Sequence, residues 1–311
     1  MKPKTLLLTL LIFNSFAFAQ TTEAPITLET KTGNIEGSLM APHSTTKVPV
    51  ALIIAGSGPT DRNGNNPMMS NNSLKMLAEG LFDNGIASLR FDKRGIAKSK
   101  NAGLKESDLR FEHYVDDVKA WIDLLKKDAR FSSITVIGHS EGSLIGMIAS
   151  QKEAVDKFIS VAGVSVSAGT VIQDQIKAQA PMLLEQTIAI IKKIENGENV
   201  TEVPPMLHAI FRPSVQPYLI SWFKYNPQDE ISKLDKDILI IQGTTDIQVD
   251  TSHAHALANA NKKARKHIFE DMNHILKPAK IDRIQNLQTY SNPKLPLVEG
   301  LIETITEFIN N

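Results

Sequence analysis

The sequence predicts an α/β fold: one mainly parallel sheet flanked by helices. Short β-branched and apolar runs, suited to strands buried on both faces, recur at 48–55, 86–91, 134–137, 158–162 and 238–241. Between most of them lie stretches with apolar residues at helical spacing, and strands alternating with helices make parallel sheets. Several of the runs lead directly into loops rich in Gly, Asp or Ser. In such folds reactive groups collect outside the carboxyl ends of the strands.

Taken in order, residues 26–30 and 34–39 flank Lys31-Thr32-Gly33 and read as an antiparallel hairpin. The run 48–55 is the first fully apolar strand and opens into Gly56-Ser57-Gly58-Pro59-Thr60-Asp61-Arg62-Asn63-Gly64. This is no phosphate loop, because no Lys-Ser/Thr follows the glycines. Its backbone N–H groups could instead face an oxygen that becomes negative when a serine attacks a carbonyl. Residues 74–82 form an amphipathic helix ending near Asn84-Gly85, and 86–91 the next strand. In 111–125, Tyr114, Val115, Val118, Trp121, Ile122 and Leu125 share one helical face. Residues 168–225 break the rhythm, with helical pattern and no convincing strand. After the strand at 238–241 come a helix at 252–261, a strand at 266–269 and a closing amphipathic helix at 297–309.

The first residues read as a secretory signal peptide: Lys2 and Lys4, an apolar run over 6–13, then Ala17-Phe18-Ala19 as a small-x-small cleavage site before Gln20. The run is too short for a membrane span, and with no cysteine a lipid anchor on that residue is excluded. The expected product is exported, periplasmic or secreted, with no stable membrane anchor. Removing 19 of the 311 residues leaves 292, enough for one large domain. Basic and acidic residues number 34 each; losing Lys2 and Lys4 leaves a net charge of about −2. That balance argues against a nucleic-acid partner. Without cysteines there are no disulfides and no thiolate metal site.

The chemistry centres on Gly138-His139-Ser140-Glu141-Gly142. A buried strand precedes it and a small-residue helix follows, so the turn must be sharp and both glycines avoid clashes. Ser140 then stands clear at the strand's end, over the positive end of a helix, where a nucleophile belongs. Serine needs a base, and the base needs an acid to hold its tautomer. Of eight histidines, only His274 follows the last strand in a loop, after Ser140 and after a post-strand aspartate. His139 lies inside the turn, with its side chain expected to point away. His253 and His255 are a poor metal pair, since positions two apart on a helix do not face each other.

Together these residues resemble the α/β-hydrolase family, whose triad runs in the order Ser, Asp/Glu, His. Gly138-His139-Ser140-Glu141-Gly142 matches the nucleophile elbow, Gly243-Thr244-Thr245-Asp246-Ile247-Gln248-Val249 the Gly-x-x-Asp-x-x-Val acid loop, and Met272-Asn273-His274 the histidine loop. The segment from Asp92 to Ser99 resembles Asp-x-Arg-Gly-x-Gly-x-Ser, with Ala97 replacing the second glycine. The Gly-Ser-Gly-Pro-Thr-Asp-Arg loop resembles that of exported bacterial serine esterases, with Ala55-Gly56 where the usual dipeptide is His-Gly. The resemblance implies Ser140 as nucleophile, His274 as base, Asp246 as orienting acid, and the N–H groups of Ser57 and Glu141 as oxyanion hole. Asp250 and Asp271 compete as acids, Asp250 reading better as a helix N-cap. Asp92 and Arg94 read as a structural network, and the Glu141 side chain as a solvated charge at a helix start.

The implied function is hydrolysis of carboxylic esters, short acyl ones preferred, through an acyl-enzyme and with no cofactor or metal. The substrate is a small-molecule ester or a short peptide; nothing in the sequence sets an oligomeric state. A serine peptidase on short peptides is the neighbouring alternative. A ligand-binding fold that has lost catalysis is the alternative of another class, and the complete Ser-Asp-His set argues against it. The helical insertion, about 168–228, is expected to cap the site. Its aromatic run, Phe211, Tyr218, Trp222, Phe223 and Tyr225, suits a pocket wall, with Trp222 and Phe223 as the candidate lining.

Overall fold

The computed structural model describes residues 23–152 and 154–311. The expected signal segment, 1–19, lies outside them. Among the described residues eight strands form one sheet: β1 (Glu23–Thr30), β2 (Gly33–Met40), β3 (Val48–Ile54), β4 (Ala87–Phe91), β5 (Phe131–His139), β6 (Lys157–Val161), β7 (Asp237–Gly243) and β8 (Ala264–Phe269). Their order across the sheet is β1-β2-β4-β3-β5-β6-β7-β8. The β1–β2 hairpin joins β4 antiparallel, and every pairing from β4 to β8 is parallel.

Among the described residues eleven α-helices accompany these strands: α1 (Ser73–Asp83), α2 (Phe111–Lys127), α3 (Glu141–Ala149), α4 (Ala168–Gln179), α5 (Leu184–Glu195), α6 (His208–Phe211), α7 (Gln216–Phe223), α8 (Pro227–Ser232), α9 (Thr251–Ala260), α10 (Arg283–Thr289) and α11 (Leu301–Asn310). Helices α4 to α8 occupy the interval between β6 and β7, where sequence periodicity shows no strand.

Period-two alternation divides the central strands between two cores. From β3, Val50, Leu52 and Ile54 enter one cluster with Phe111, Trp121 and Ile122 of α2 and Leu144 and Ile145 of α3. Ala51 and Ile53 enter the other, with Leu74, Leu77 and Leu81 of α1 and Ile305 and Phe308 of α11. With both faces covered, β3 is continuously apolar rather than alternating. Trp121 and Phe111 are fully buried, each worth on the order of 1.5–3 kcal/mol in transfer from water.

Helix ends follow local chemistry. Ser167 caps α4 by accepting from the Thr170 N–H, and Asp250 caps α9 by accepting from the Ser252 N–H at 2.8 Å. Helix α10 was not legible as an apolar stripe because its large apolar residues, Ile284 and Leu287, face solvent; its buried residue is Asn286. The available signal was Asp282, whose carboxylate accepts from the Gln285 N–H.

Candidate active site

Strand β5 ends at His139 and α3 begins at Glu141, so Ser140 alone makes the turn, with φ 54° and ψ −120°. That backbone costs a non-glycine residue on the order of 1–3 kcal/mol and persists only where neighbours over-determine it. Here the Ser140 N–H donates to the Val161 carbonyl at 2.9 Å and the Ser143 N–H to the Ser140 carbonyl at 2.9 Å. Both flanking glycines are required by close approach. A Cβ on Gly138 would stand 2.3 Å from the Gly142 carbonyl oxygen, and one on Gly142 would stand 2.5 Å from that of Ile54.

Asp246 and His274 come from the loops after β7 and β8. The His274 ring faces the acid through Nδ1, 2.8 Å from Asp246 Oδ2. Gln242 Nε2 donates to the same oxygen at 2.8 Å, while the N–H groups of Gln248 and Val249 donate to Oδ1 at 2.8 and 2.9 Å. Burial by itself would raise this carboxyl; the adjacent His274 and the two backbone donors hold it below the usual carboxylate range. The loops are locked together: the Thr245 N–H donates to the Met272 carbonyl at 3.2 Å, and a Cβ on Gly243 would stand 1.9 Å from that oxygen. Asn273 folds the histidine loop by accepting from the Ile275 and Lys277 N–H groups. Asn286 of α10 donates to the Thr245 carbonyl at 2.8 Å.

Ser140, His274, His139, Ser57 and Gly56 line one cavity of about 100 Å³. The structure therefore brings together four of the residues singled out in sequence, Ser57, Ser140, Asp246 and His274, together with Glu141 at the head of α3. The first N–H groups of a helix have no partner within it, which leaves the α3 terminus as a donor surface beside Ser140. Asp250 is held outside this group as the α9 cap. Asp271, at φ 55°, does not line the cavity.

Comparison with known proteins agrees with this architecture. The signature of a family described as serine aminopeptidase, S33, matches residues 69–210. Esterase EstD of Thermotoga maritima is 23% identical over 250 residues, 78% of this chain and 58% of that protein, so the chain spans less than two thirds of the relative's length. Est1E from Butyrivibrio proteoclasticus, solved with ferulic acid bound, superposes with a TM-score of 0.62 at 19% identity, over 92% of this chain and all of that one. A Pyrococcus furiosus esterase gives 0.59 at 15% identity, over 94% and 91% of the two chains. The chain has the α/β-hydrolase fold.

Within this α/β-hydrolase fold two side chains differ from expectation. His139 does not point away from the site. Its ring centroid lies 4.9 Å from that of His274, and its Nε2 lies 2.7 Å from the His274 carbonyl oxygen. Burial, followed by the charge of His274, lowers its pKa to about 4, so it stays neutral and donates to that carbonyl. The Glu141 side chain is not solvated. It is buried, paired with Lys93 at 3.0 Å, and accepts a hydrogen bond from the Tyr218 hydroxyl. Neither arrangement was available from local sequence, since each depends on a residue tens of positions away.

Asp92 and Arg94 do form a network. Asp92 pairs with Arg62 at 2.7 Å and accepts the Arg62 N–H at 2.8 Å, holding the glycine-rich loop; Arg94 pairs with Asp117 of α2. A second cavity, about 470 Å³, is walled by Ser57, Glu141, Tyr114 and the α7 residues Tyr218, Leu219 and Trp222. Phe223, the next residue of α7, is not part of that wall; it is buried among apolar residues beside Gly169 of α4. One step along a helix turns a side chain by about 100°. Among the described residues no cluster of three or more His, Cys, Asp or Glu is arranged to hold a metal ion, and no helix is long and apolar enough to cross a membrane.

Proposed function

We propose that the protein is a serine hydrolase of carboxylic esters. The observation that carries the reading is the His274–Asp246 pair opening into the same cavity as Ser140 on its strained turn. Ser140 Oγ attacks the acyl carbonyl while His274 Nε2 takes its proton. Asp246 keeps the other ring proton on Nδ1 and stabilises the imidazolium that forms. The oxyanion is received by the N–H groups of Ser57 and Glu141, aided by the α3 dipole. The imidazolium then protonates the departing alcohol, and water repeats the sequence on the acyl-enzyme. No step calls for a cofactor.

The similarity to EstD and Est1E supports an ester rather than an amide substrate. The 470 Å³ cavity supports a short acyl group against Trp222, with α4 to α7 as the cap (about 168–228). Export to the periplasm or medium after cleavage before Gln20 belongs to the same reading. The S33 aminopeptidase signature favours the second reading, cleavage of short peptides. A panel of p-nitrophenyl esters from acetyl to long acyl, with a feruloyl ester and an aminoacyl anilide, separates the readings. Turnover of the short esters that is lost in Ser140→Ala supports the proposal. Turnover of the anilide alone replaces it with the peptidase, and binding without turnover replaces both with a ligand-binding fold.

A further inference from the structure

Lys93 lies two residues after β4, and its side chain is only 2% exposed. It donates to the Gly56 carbonyl oxygen at 2.6 Å and to Glu141 Oε2 at 3.0 Å, and sits 5.2 Å from the centroid of the Tyr114 ring. The other Glu141 oxygen accepts from Tyr218 of α7. Burial raises the Tyr218 phenol well above its ordinary range, which keeps it a donor. Both groups that Lys93 holds belong to the segments that carry the proposed oxyanion donors. The Gly56 carbonyl belongs to the same planar peptide as the Ser57 N–H, so holding its oxygen sets the direction of that N–H. Glu141 carries the second N–H itself.

A buried ion pair contributes little net stability, because desolvation offsets most of the attraction; an apolar pair of similar volume often does as well. What an ammonium does that an apolar side chain cannot is hold two acceptors from separate loops in fixed register. We infer that Lys93 is the positioning residue of the oxyanion hole, aligning the Ser57 and Glu141 N–H groups with each other, and that Tyr218 ties this alignment to the cap. Occupancy of the cavity walled by Tyr218 and Trp222 is thereby felt at the oxyanion donors. An ammonium on the Gly56 oxygen also polarises that amide and strengthens the Ser57 N–H as a donor.

This inference rests on the esterase reading. The test uses the full chain, with active sites titrated by a fluorophosphonate so that rates refer to competent serines. In Lys93→Met the kcat per titrated site for p-nitrophenyl acetate should fall about 10- to 100-fold, with KM within about twofold. That is less than the 10²–10³ lost when a donor is removed outright. Affinity for an alkyl boronic acid, which mimics the tetrahedral state, should fall by the same factor as kcat/KM. A merely structural role would lower the melting temperature or the titrated fraction and leave kcat per site and boronate affinity unchanged; that result overturns the inference.

Lys93→Met with Glu141→Gln avoids a lone buried carboxylate and should show the same loss. Should neither variant fold, Tyr218→Phe decides, since it removes one hydroxyl: a fall of about threefold or more in kcat per site, at constant KM, supports the link, and an unchanged kcat overturns it. Parent enzyme that keeps its turnover in Ser140→Ala refutes the esterase reading itself, an outcome distinct from active parent with an unaffected Lys93 variant.

Discussion

Replacing Asp246 by Asn removes one charge and almost no volume, and the hydrogen bonds around it dictate the outcome. The carboxylate accepts four: Gln248 and Val249 N–H on Oδ1, Gln242 Nε2 and His274 Nδ1 on Oδ2. An amide has one oxygen, and two fixed backbone donors claim it for the Oδ1 side. The amide NH₂ then faces Gln242 Nε2, donor against donor, and His274 Nδ1. His274 can meet it only by accepting at Nδ1, which moves the ring proton to Nε2, the atom that takes the proton of Ser140 in the proposed mechanism. The same change in the serine-protease triad costs about 10⁴ in kcat, or about 5.5 kcal/mol of transition-state stabilisation. Losing a charged hydrogen-bond acceptor costs a further 1.5–3 kcal/mol or so of folding stability.

The assay is initial-rate hydrolysis of p-nitrophenyl acetate per fluorophosphonate-labelled site, with chemical denaturation alongside. Asp250→Asn is the internal control. Asn caps a helix about as well as Asp, so this variant should keep both rate and stability. An Asp246→Asn rate within about tenfold of the parent, or a larger loss in Asp250→Asn, would refute the assignment of the acid.

Other substitutions probe the surrounding frame. Gly142→Ala puts a methyl 2.5 Å from the Ile54 oxygen and 2.8 Å from that of Ala55; it should cost about 1–3 kcal/mol and slow Ser140 labelling, measured by denaturation and mass spectrometry. His139 is neutral in the fold, with its pKa lowered to about 4 against 6.5 when unfolded. Its contribution is therefore complete above about pH 6.5 and is lost as pH falls through about 4, because the unfolded chain takes the proton first. Stability should drop by a few kcal/mol between about pH 7.5 and about pH 4.5 from this group, and His139→Gln should flatten that slope in denaturant titrations. Trp222→Ala should shift the acyl-length profile with Ser140 still labelled. Phe223→Ala should cost about 3–5 kcal/mol and leave the profile alone; a profile shift in Phe223→Ala would place the pocket elsewhere.

What could be read from sequence was what local chemistry determines. Apolar runs marked β3 to β7 to within a residue or two at most ends, because strands buried on both faces have no polar alternation to blur them. The elbow at Ser140 was legible because its two glycines answer contacts a few residues away, plus one neighbouring strand. The partners of Glu141 and His139 were not. Lys93 is 48 positions from Glu141, Tyr218 is 77, and the His274 carbonyl is 135 from His139. Helix α10 escaped because it presents Asn286, not an apolar stripe, to the interior, where that side chain holds the acid loop. Trp222 and Phe223 could not be separated without knowing which side of α7 meets the 470 Å³ cavity.

Ser140, Ala162 and Asp271 are three of the six non-glycine residues at positive φ among the described residues, and they follow the carboxyl ends of β5, β6 and β8. Conformational tension is thus concentrated along the edge that carries the proposed reactive groups. For directed evolution this sets an asymmetry. Heat tolerance is best sought at the opposite rim and on outer helix surfaces, where added interactions leave that edge alone. Of the three only Ser140 belongs to the proposed triad, so Ala162→Gly relaxes one tensioned turn and shows how much of the edge's strain the chemistry can do without.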